Sequence, residues 1–440
     1  MISYDLVVHG GTVATPSGIV RTDVGIKDGR IEAVGDLGSA TAAEKLSARG
    51  LHVLPGVIDS QVHFREPGLT HKEDIGSGSA SAAMGGVTTF FEMPNTQPNT
   101  TTAEALAWKV RRAKETSWVD FAFYVGASPE NADGLGLLEG LEGCAGVKVF
   151  LGSSTGTLLV DDPAVLARVL RSGTRRVACH SELESRLKER KELAKTVHDH
   201  PVWRDEACAV ESTRRLLEAA RAAKRPVHVL HVTTAGEIPL LEAARDIATF
   251  EVCPQHLTLE APDCYDRLGT FAQMNPPIRE GRHRAALWDA VKRGLVDVLG
   301  SDHAPHTREE KAKPYPASPS GMPGVQTLLP LMLNHVHEGR LPLERVVDLT
   351  AHGPARIFGL PTKGRIEVGR DADLTLVDLK REHVITAAEQ RTRVGWSPFD
   401  GMKVTGYPIG TLLRGQFVMR EGVLQGKPGG RPVQVGAFVE

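Results

Sequence analysis

Five stretches of this 440-residue chain carry side chains that could share one reaction. The first is Asp59-Ser60-Gln61-Val62-His63-Phe64-Arg65-Glu66-Pro67-Gly68. Residues two apart in an extended chain point to one face, so Gln61, His63 and Arg65 are expected to project together where a strand gives way to a loop. Imidazole is the commonest protein metal ligand, and guanidinium grips a carboxylate with two prongs. Together they suggest metal-assisted chemistry on an acidic small molecule. The other stretches hold Lys148 in Gly146-Val147-Lys148-Val149-Phe150, His180 in Ala178-Cys179-His180-Ser181-Glu182, His231 in His228-Val229-Leu230-His231, and Asp302 in Gly300-Ser301-Asp302-His303-Ala304-Pro305-His306. One strand-end histidine alone is more often a hydrogen-bonded structural residue. Five such ends in one chain favour a shared site. Lys148 lies among apolar neighbours, where a charged amine faces a large desolvation cost. A snorkelling or salt-bridged lysine is the plain alternative.

The elements that must position these residues alternate along the chain. Eight apolar strands are predicted, at Val53–Asp59, Val87–Met93, Val119–Val125, Gly146–Phe150, Arg176–His180, Pro226–His231, Ala248–Cys253 and Val296–Ser301. Helical patterns lie between them, among them Ala103–Glu115, Pro163–Ser172, Glu206–Ala223, Ile238–Asp246 and His283–Lys292. Strand–helix alternation of this kind predicts a parallel sheet, and eight units fit an α/β fold closed as a (β/α)8 TIM-like barrel. The open doubly wound sheet is the alternative, and it calls for a Gly-rich phosphate turn after the first strand, which is absent here. In such a barrel the active site gathers at the C-terminal ends of the strands. Both chain ends read as β-rich. Asp28-Gly29 separates two strand-like runs as a hairpin turn, and Lys363–Ile366, Asp373–Val377, Gly410–Leu413 and Gln416–Met419 look like strands. Residues 1–54 and 354–440 are therefore expected to meet in one small composite β-sandwich domain around a barrel at 55–353.

Composition bounds the partners. The chain has 52 basic and 54 acidic residues and a formal net charge of -2, which argues against nucleic acid or a membrane surface. No apolar run is long enough to span a bilayer. The five cysteines show no C-x-x-C pair and read as reduced, packing thiols of a cytoplasmic protein. The start Met1-Ile2-Ser3-Tyr4-Asp5 has no basic region followed by an apolar core, so no signal peptide is expected.

The stretch from Asp59 to Gly68 resembles the amidohydrolase superfamily, in particular its cyclic-amidohydrolase branch of dihydroorotases, allantoinases and hydantoinases. Its signature is Asp-x-His-x-His, and this chain carries Gln61 where the first histidine stands. The resemblance covers nearly the whole chain and includes Gly395-Trp396-Ser397-Pro398-Phe399. It implies two zinc ions. His63 and Asp302 would hold the first, with Gln61 as a weak or outer ligand; His180 and His231 would hold the second. Lys148, carboxylated to a carbamate, would bridge them, and the Gly152-Ser153-Ser154-Thr155-Gly156 turn strengthens that match. Asp302 would also act as base and acid while a metal-activated water attacks a ring amide. Arg65 before Glu66-Pro67-Gly68 points towards the dihydroorotases. There Arg65, Asn95 and His306 would grip the substrate carboxylate, and Asn275 and Gly324 would meet the ring. Read without the family, Asn95 is a turn residue after Pro94 and Arg65 an exposed charge. Gln61 also admits an inactive, scaffold-like homologue, with an aspartate transcarbamoylase as a partner. A homo-oligomer is compatible with the sequence. The Thr307–Gly321 loop reads either as a lid or as a simple connection.

Overall fold

The computed structural model describes residues 3–436. Five strands open the chain: β1 (Ser3–Thr15), β2 (Gly18–Lys27), β3 (Arg30–Gly35), β4 (Thr41–Ser47) and β5 (His52–Pro55). Eight more follow: β6 (Val57–Val62), β7 (Val87–Glu92), β8 (Asp120–Gly126), β9 (Cys144–Phe150), β10 (Val177–His180), β11 (Val227–Val229), β12 (Ala248–Val252) and β13 (Val298–Leu299). These pair in parallel, each with its sequence neighbour. The ring nears closure where Val62 bridges His303 and the His63 N–H donates to the His303 carbonyl at 2.7 Å. This is the eight-stranded barrel expected from the alternation, with helices on its outside.

Helices form where apolar spacing and caps agree. Glu206–Ala223 starts at Asp205, whose side chain accepts from the Cys208 N–H, and it buries Leu216, Leu217 and Ala220. Pro163–Arg171 starts with proline in its first turn behind Asp162. At the lower end of the barrel Phe358 acts as a plug, its ring 5.2 Å from Phe91 and 6.4 Å from Tyr124. Burying one such ring contributes about 1.5–3 kcal/mol.

The last strands are β14 (Leu374–Val384), β15 (Lys403–Leu413), β16 (Gln416–Arg420) and β17 (Val423–Leu424). They join β1–β5 in one nine-stranded sheet, because β14 pairs antiparallel with β5. Leu6, Val24, Ile31 and Val53 from one chain end pack with Leu374, Leu376 and Leu412 from the other. The Asp28-Gly29 turn has positive φ at both residues, 49° and 77°, the twist a tight hairpin needs.

Two local expectations change. Val53–Asp59 is two strands: β5 belongs to the outer sheet and β6 to the barrel, with Gly56 between them. A Cβ at Gly56 would meet the Thr88 side chain at 2.1 Å, so the chain passes from one sheet to the other at a residue without a side chain. Lys363–Ile366 forms no strand, because Lys363 turns inward to a buried cluster of Asp120, Asp371 and Asp373.

Candidate active site

The pocket at the upper end of the barrel is lined by Gln61, His63, Arg65, Asn95, Lys148, His180, His231, Asn275 and Asp302. Nine of the eleven residues singled out from the sequence thus meet in space. His306 stands just behind Arg65, and Gly324 does not line the pocket. The Gly324 N–H donates instead to His303 Nδ1 at 3.1 Å, while Ser320 and Gly321 form that wall.

The route by which Arg65 joins the pocket differs from simple alternation. β6 ends at Val62, and Arg65 turns back with φ of 65°. His231 (38°) and Asp302 (44°), both beyond the ends of their strands, also have positive φ. Left-handed backbone at non-glycine residues is costly and clusters at functional sites.

The protonation pattern follows from the partners. Asn95 Nδ2 donates to the Thr155 carbonyl at 2.8 Å, so Asn95 Oδ1 must be the atom facing His63. His63 Nδ1 donates to it at 2.8 Å. Burial pulls the His63 pKa down to about 4 against the opposing pull of Asp302, so the ring is neutral and Nε2 is a bare lone pair. That lone pair faces Asp302 Oδ1 at 3.2 Å. The contact has the geometry of an ion pair, but with a neutral ring it is two electron pairs converging on one point. A second convergence lies across the pocket. His180 Nε2 donates to Glu182 at 2.8 Å, leaving His180 Nδ1 to face His231 Nε2 at 3.1 Å. Burial keeps both rings neutral. Burial pushes the Glu182 carboxyl up, but Arg204 and His180 outweigh it and hold it well below the usual carboxylate range.

Lys148 lies under this pocket, 1% exposed, with Nζ 4.4 Å from the centre of the Phe150 ring. Burial lowers its pKa to about 8. A neutral amine is the nucleophilic form, so this environment suits addition of carbon dioxide. Among the described residues no three His, Cys, Asp or Glu side chains gather as a metal cluster. Two donor pairs flank the lysine instead, and the buried Gln61 Oε1 and His231 Nδ1 have no hydrogen-bond partner. Paired lone pairs with no proton between them fit a cation.

Arg65 has the opposite need. It is 1% exposed, and burial lowers its pKa only to about 10, so it stays charged. Its Nε donates to the Pro305 carbonyl at 3.2 Å. Its Nη2 lies 3.3 Å from His306 Nε2, but that nitrogen itself donates to the Ser320 carbonyl at 3.0 Å and offers no acceptor. Nη1 has no partner at all. The Trp396 indole N–H holds the His306 carbonyl at 2.8 Å, which gives the Gly395–Phe399 phrase a place behind the pocket.

Sequence reasoning missed Glu182 and Arg204. Glu182 stands two residues after His180, and that spacing was the available signal. Arg204 Nη2 donates both to Glu182 and, at 2.7 Å, to the Ser153 carbonyl, linking a histidine of the pocket to the 152–156 turn. His200 is buried against Asn275. His303 points away from the pocket and meets Glu73.

The model of the amidohydrolase family matches residues 52–418, and the chain belongs to that family, whose members generally depend on metal. A dihydroorotase of Halobacterium salinarum is 40% identical over 409 residues, 90% of this chain and 93% of its own. An allantoinase of Rubrobacter xylanophilus is 37% identical over 450 residues, covering 99% of this chain and 98% of its own. An L-hydantoinase structure from Arthrobacter aurescens matches with a TM-score of 0.94 at 31% identity, over 98% of this chain and 99% of that one. No helix among the described residues is long and apolar enough to cross a membrane.

Proposed function

We propose that this protein is a metal-dependent hydrolase of a cyclic amide bearing an exocyclic carboxylate, with the activity of a dihydroorotase: interconversion of dihydroorotate and N-carbamoyl-aspartate. The observation that carries the reading is the Arg65 guanidinium, buried in the pocket with Nη1 unpartnered and Nη2 facing another donor. A desolvated cation with free donors calls for an anion. The allantoin and hydantoin rings handled by related enzymes carry no such carboxylate and leave Arg65 unanswered.

His63 and Asp302 would hold one zinc ion and His180 and His231 another, with a carboxylated Lys148 as a further oxygen ligand; zinc bound there would supply the Lewis acidity that brings a water's pKa to about 7. Asn95 fixes the His63 ring with Nε2 free, and Glu182 fixes the His180 ring with Nδ1 free. Arg65 orients the substrate by its carboxylate, with His306 behind it. Asp302 takes the proton of the attacking water and delivers it to the leaving ring nitrogen. Gln61 Nε2 donates to Asp302 Oδ1 at 3.2 Å and holds that carboxylate in place. Gln61 also favours a second reading, a scaffold that has lost its first metal.

One assay separates these readings. Zinc-loaded protein is offered dihydroorotate, allantoin and hydantoin. Dihydroorotate is expected to turn over fastest. Faster turnover of a neutral ring overturns the carboxylate reading, and inactivity on all three with at most one zinc bound establishes the scaffold.

A further inference from the structure

Asn275 lines the pocket, and the polarity of its amide is set from behind. His200 is fully buried, and its Nε2 lies 3.0 Å from both the Met274 carbonyl oxygen and Asn275 Oδ1. A carbonyl oxygen only accepts, so Nε2 carries the proton. Burial first, and Arg204 after it, lower the imidazole's pKa to about 3, so the ring is neutral and its Nδ1 is a lone pair. Tyr315 Oη donates to that nitrogen at 3.1 Å. Asn275 is thereby held by its oxygen. Only its Nδ2 remains for the pocket, 3.4 Å from Ser154 Oγ. Tyr315 belongs to the 307–321 loop, whose Ser320 and Gly321 line the same pocket. Thr155 Oγ1 donates to the Ser320 carbonyl at 3.3 Å, so this loop and the 152–156 turn meet over the site.

We propose that His200, with Tyr315 behind it, is a positioning residue that holds Asn275 as an obligate hydrogen-bond donor and so selects substrates that place a carbonyl or carboxylate oxygen beside it. The proposal deepens the cyclic-amide reading and rests on it for the substrate class. A ring N–H placed beside Asn275 would meet donor against donor, which a buried site rejects strongly. Tyr315 makes this polarity depend on a seated 307–321 loop.

The test is a double-mutant cycle on the zinc-loaded enzyme. His200→Leu is expected to raise KM about tenfold or more with a smaller change in kcat, the consequence of freeing one buried amide. His200→Gln restores an N–H for Asn275 and a carbonyl for Tyr315, and is expected to return KM to within about threefold of wild type. In the Asn275→Ala background His200→Leu is expected to add almost nothing, because it acts through Asn275. Additive effects, or an unchanged KM in His200→Leu, overturn the proposal. Nitrogen-15 spectroscopy of the histidines reads the same point without turnover. The expected signature is a neutral His200 protonated at Nε2, with the Nδ1 resonance shifting in Tyr315→Phe. A wild-type ring protonated at Nδ1 overturns the proposal even where His200→Leu does not fold. Should the enzyme prefer hydantoin or allantoin, the dihydroorotate reading fails by itself. The cycle, run on that ring's carbonyls, still decides the role of His200.

Discussion

Gln61 Nε2 donates to the same Asp302 oxygen that faces the lone pair of His63 Nε2, each at 3.2 Å. The glutamine therefore stands at the edge of the first donor pair, with its own Oε1 buried and unpartnered. A neutral amide oxygen binds zinc less well than imidazole.

Gln61→His is expected to tighten the first metal about tenfold or more, the scale seen when groups around a metal site change. Dihydroorotate hydrolysis is expected to hold or rise. Metal titration with a competing chelator checks the affinity. Unchanged metal content and rate would place Gln61 outside the metal's reach.

Arg65→Met removes the buried cation that, on the proposed reading, receives the substrate carboxylate. Losing one partner of a desolvated charge pair costs about 2–5 kcal/mol. Steady-state kinetics on dihydroorotate should show it mainly as a higher KM, while residual turnover of hydantoin should change little. Equal loss on both substrates speaks against a carboxylate contact.

On the proposed zinc site, Lys148→Ala is expected to lose both metal and activity, since each donor pair would then lack its third ligand. Short carboxylic acids should restore part of the activity by supplying an oxygen in the vacated space. Full zinc content and full rate in the unrescued variant would contradict a bridging lysine.

Lys311 gives a pH prediction away from the metal pairs. Its Nζ donates to the carbonyls of Gln273 and Pro319 at 3.0 and 2.8 Å, and burial lowers its pKa from 10.5 to about 7. Between those values the unfolded chain binds more protons than the folded one, so this group makes stability rise with pH across that window. Below pH 7 both states are protonated and the cost of the buried ammonium is present in full. Urea melts from pH 6 to 10 should show a stability difference between wild type and Lys311→Met that changes in favour of wild type as pH rises. Parallel curves would mean that Lys311 keeps an ordinary pKa.

The alternation of apolar strands and helices, a local periodicity, was enough to specify eight barrel strands and the outer helices. It also brought Gln61, His63, Lys148, His180, His231 and Asp302 to one end of the ring, because parallel strands place their C-termini together. The family resemblance added roles that periodicity does not encode. Three things were decided only in the folded chain. The split of Val53–Asp59 at Gly56 depends on which sheet each half pairs with, and pairing is a long-range event. The strained turns at Arg65, His231 and Asp302 follow from the neighbours that enclose them. Charge and tautomer came last: His63, His180 and His200 are neutral because burial makes their ions costly, and each is oriented by a partner far away in sequence or turned by the fold — Asn95, Glu182 and the Met274 carbonyl. A residue's type limits which bonds it can make. Which of them it does make depends on dielectric and distance, and those exist only once the chain has closed around it.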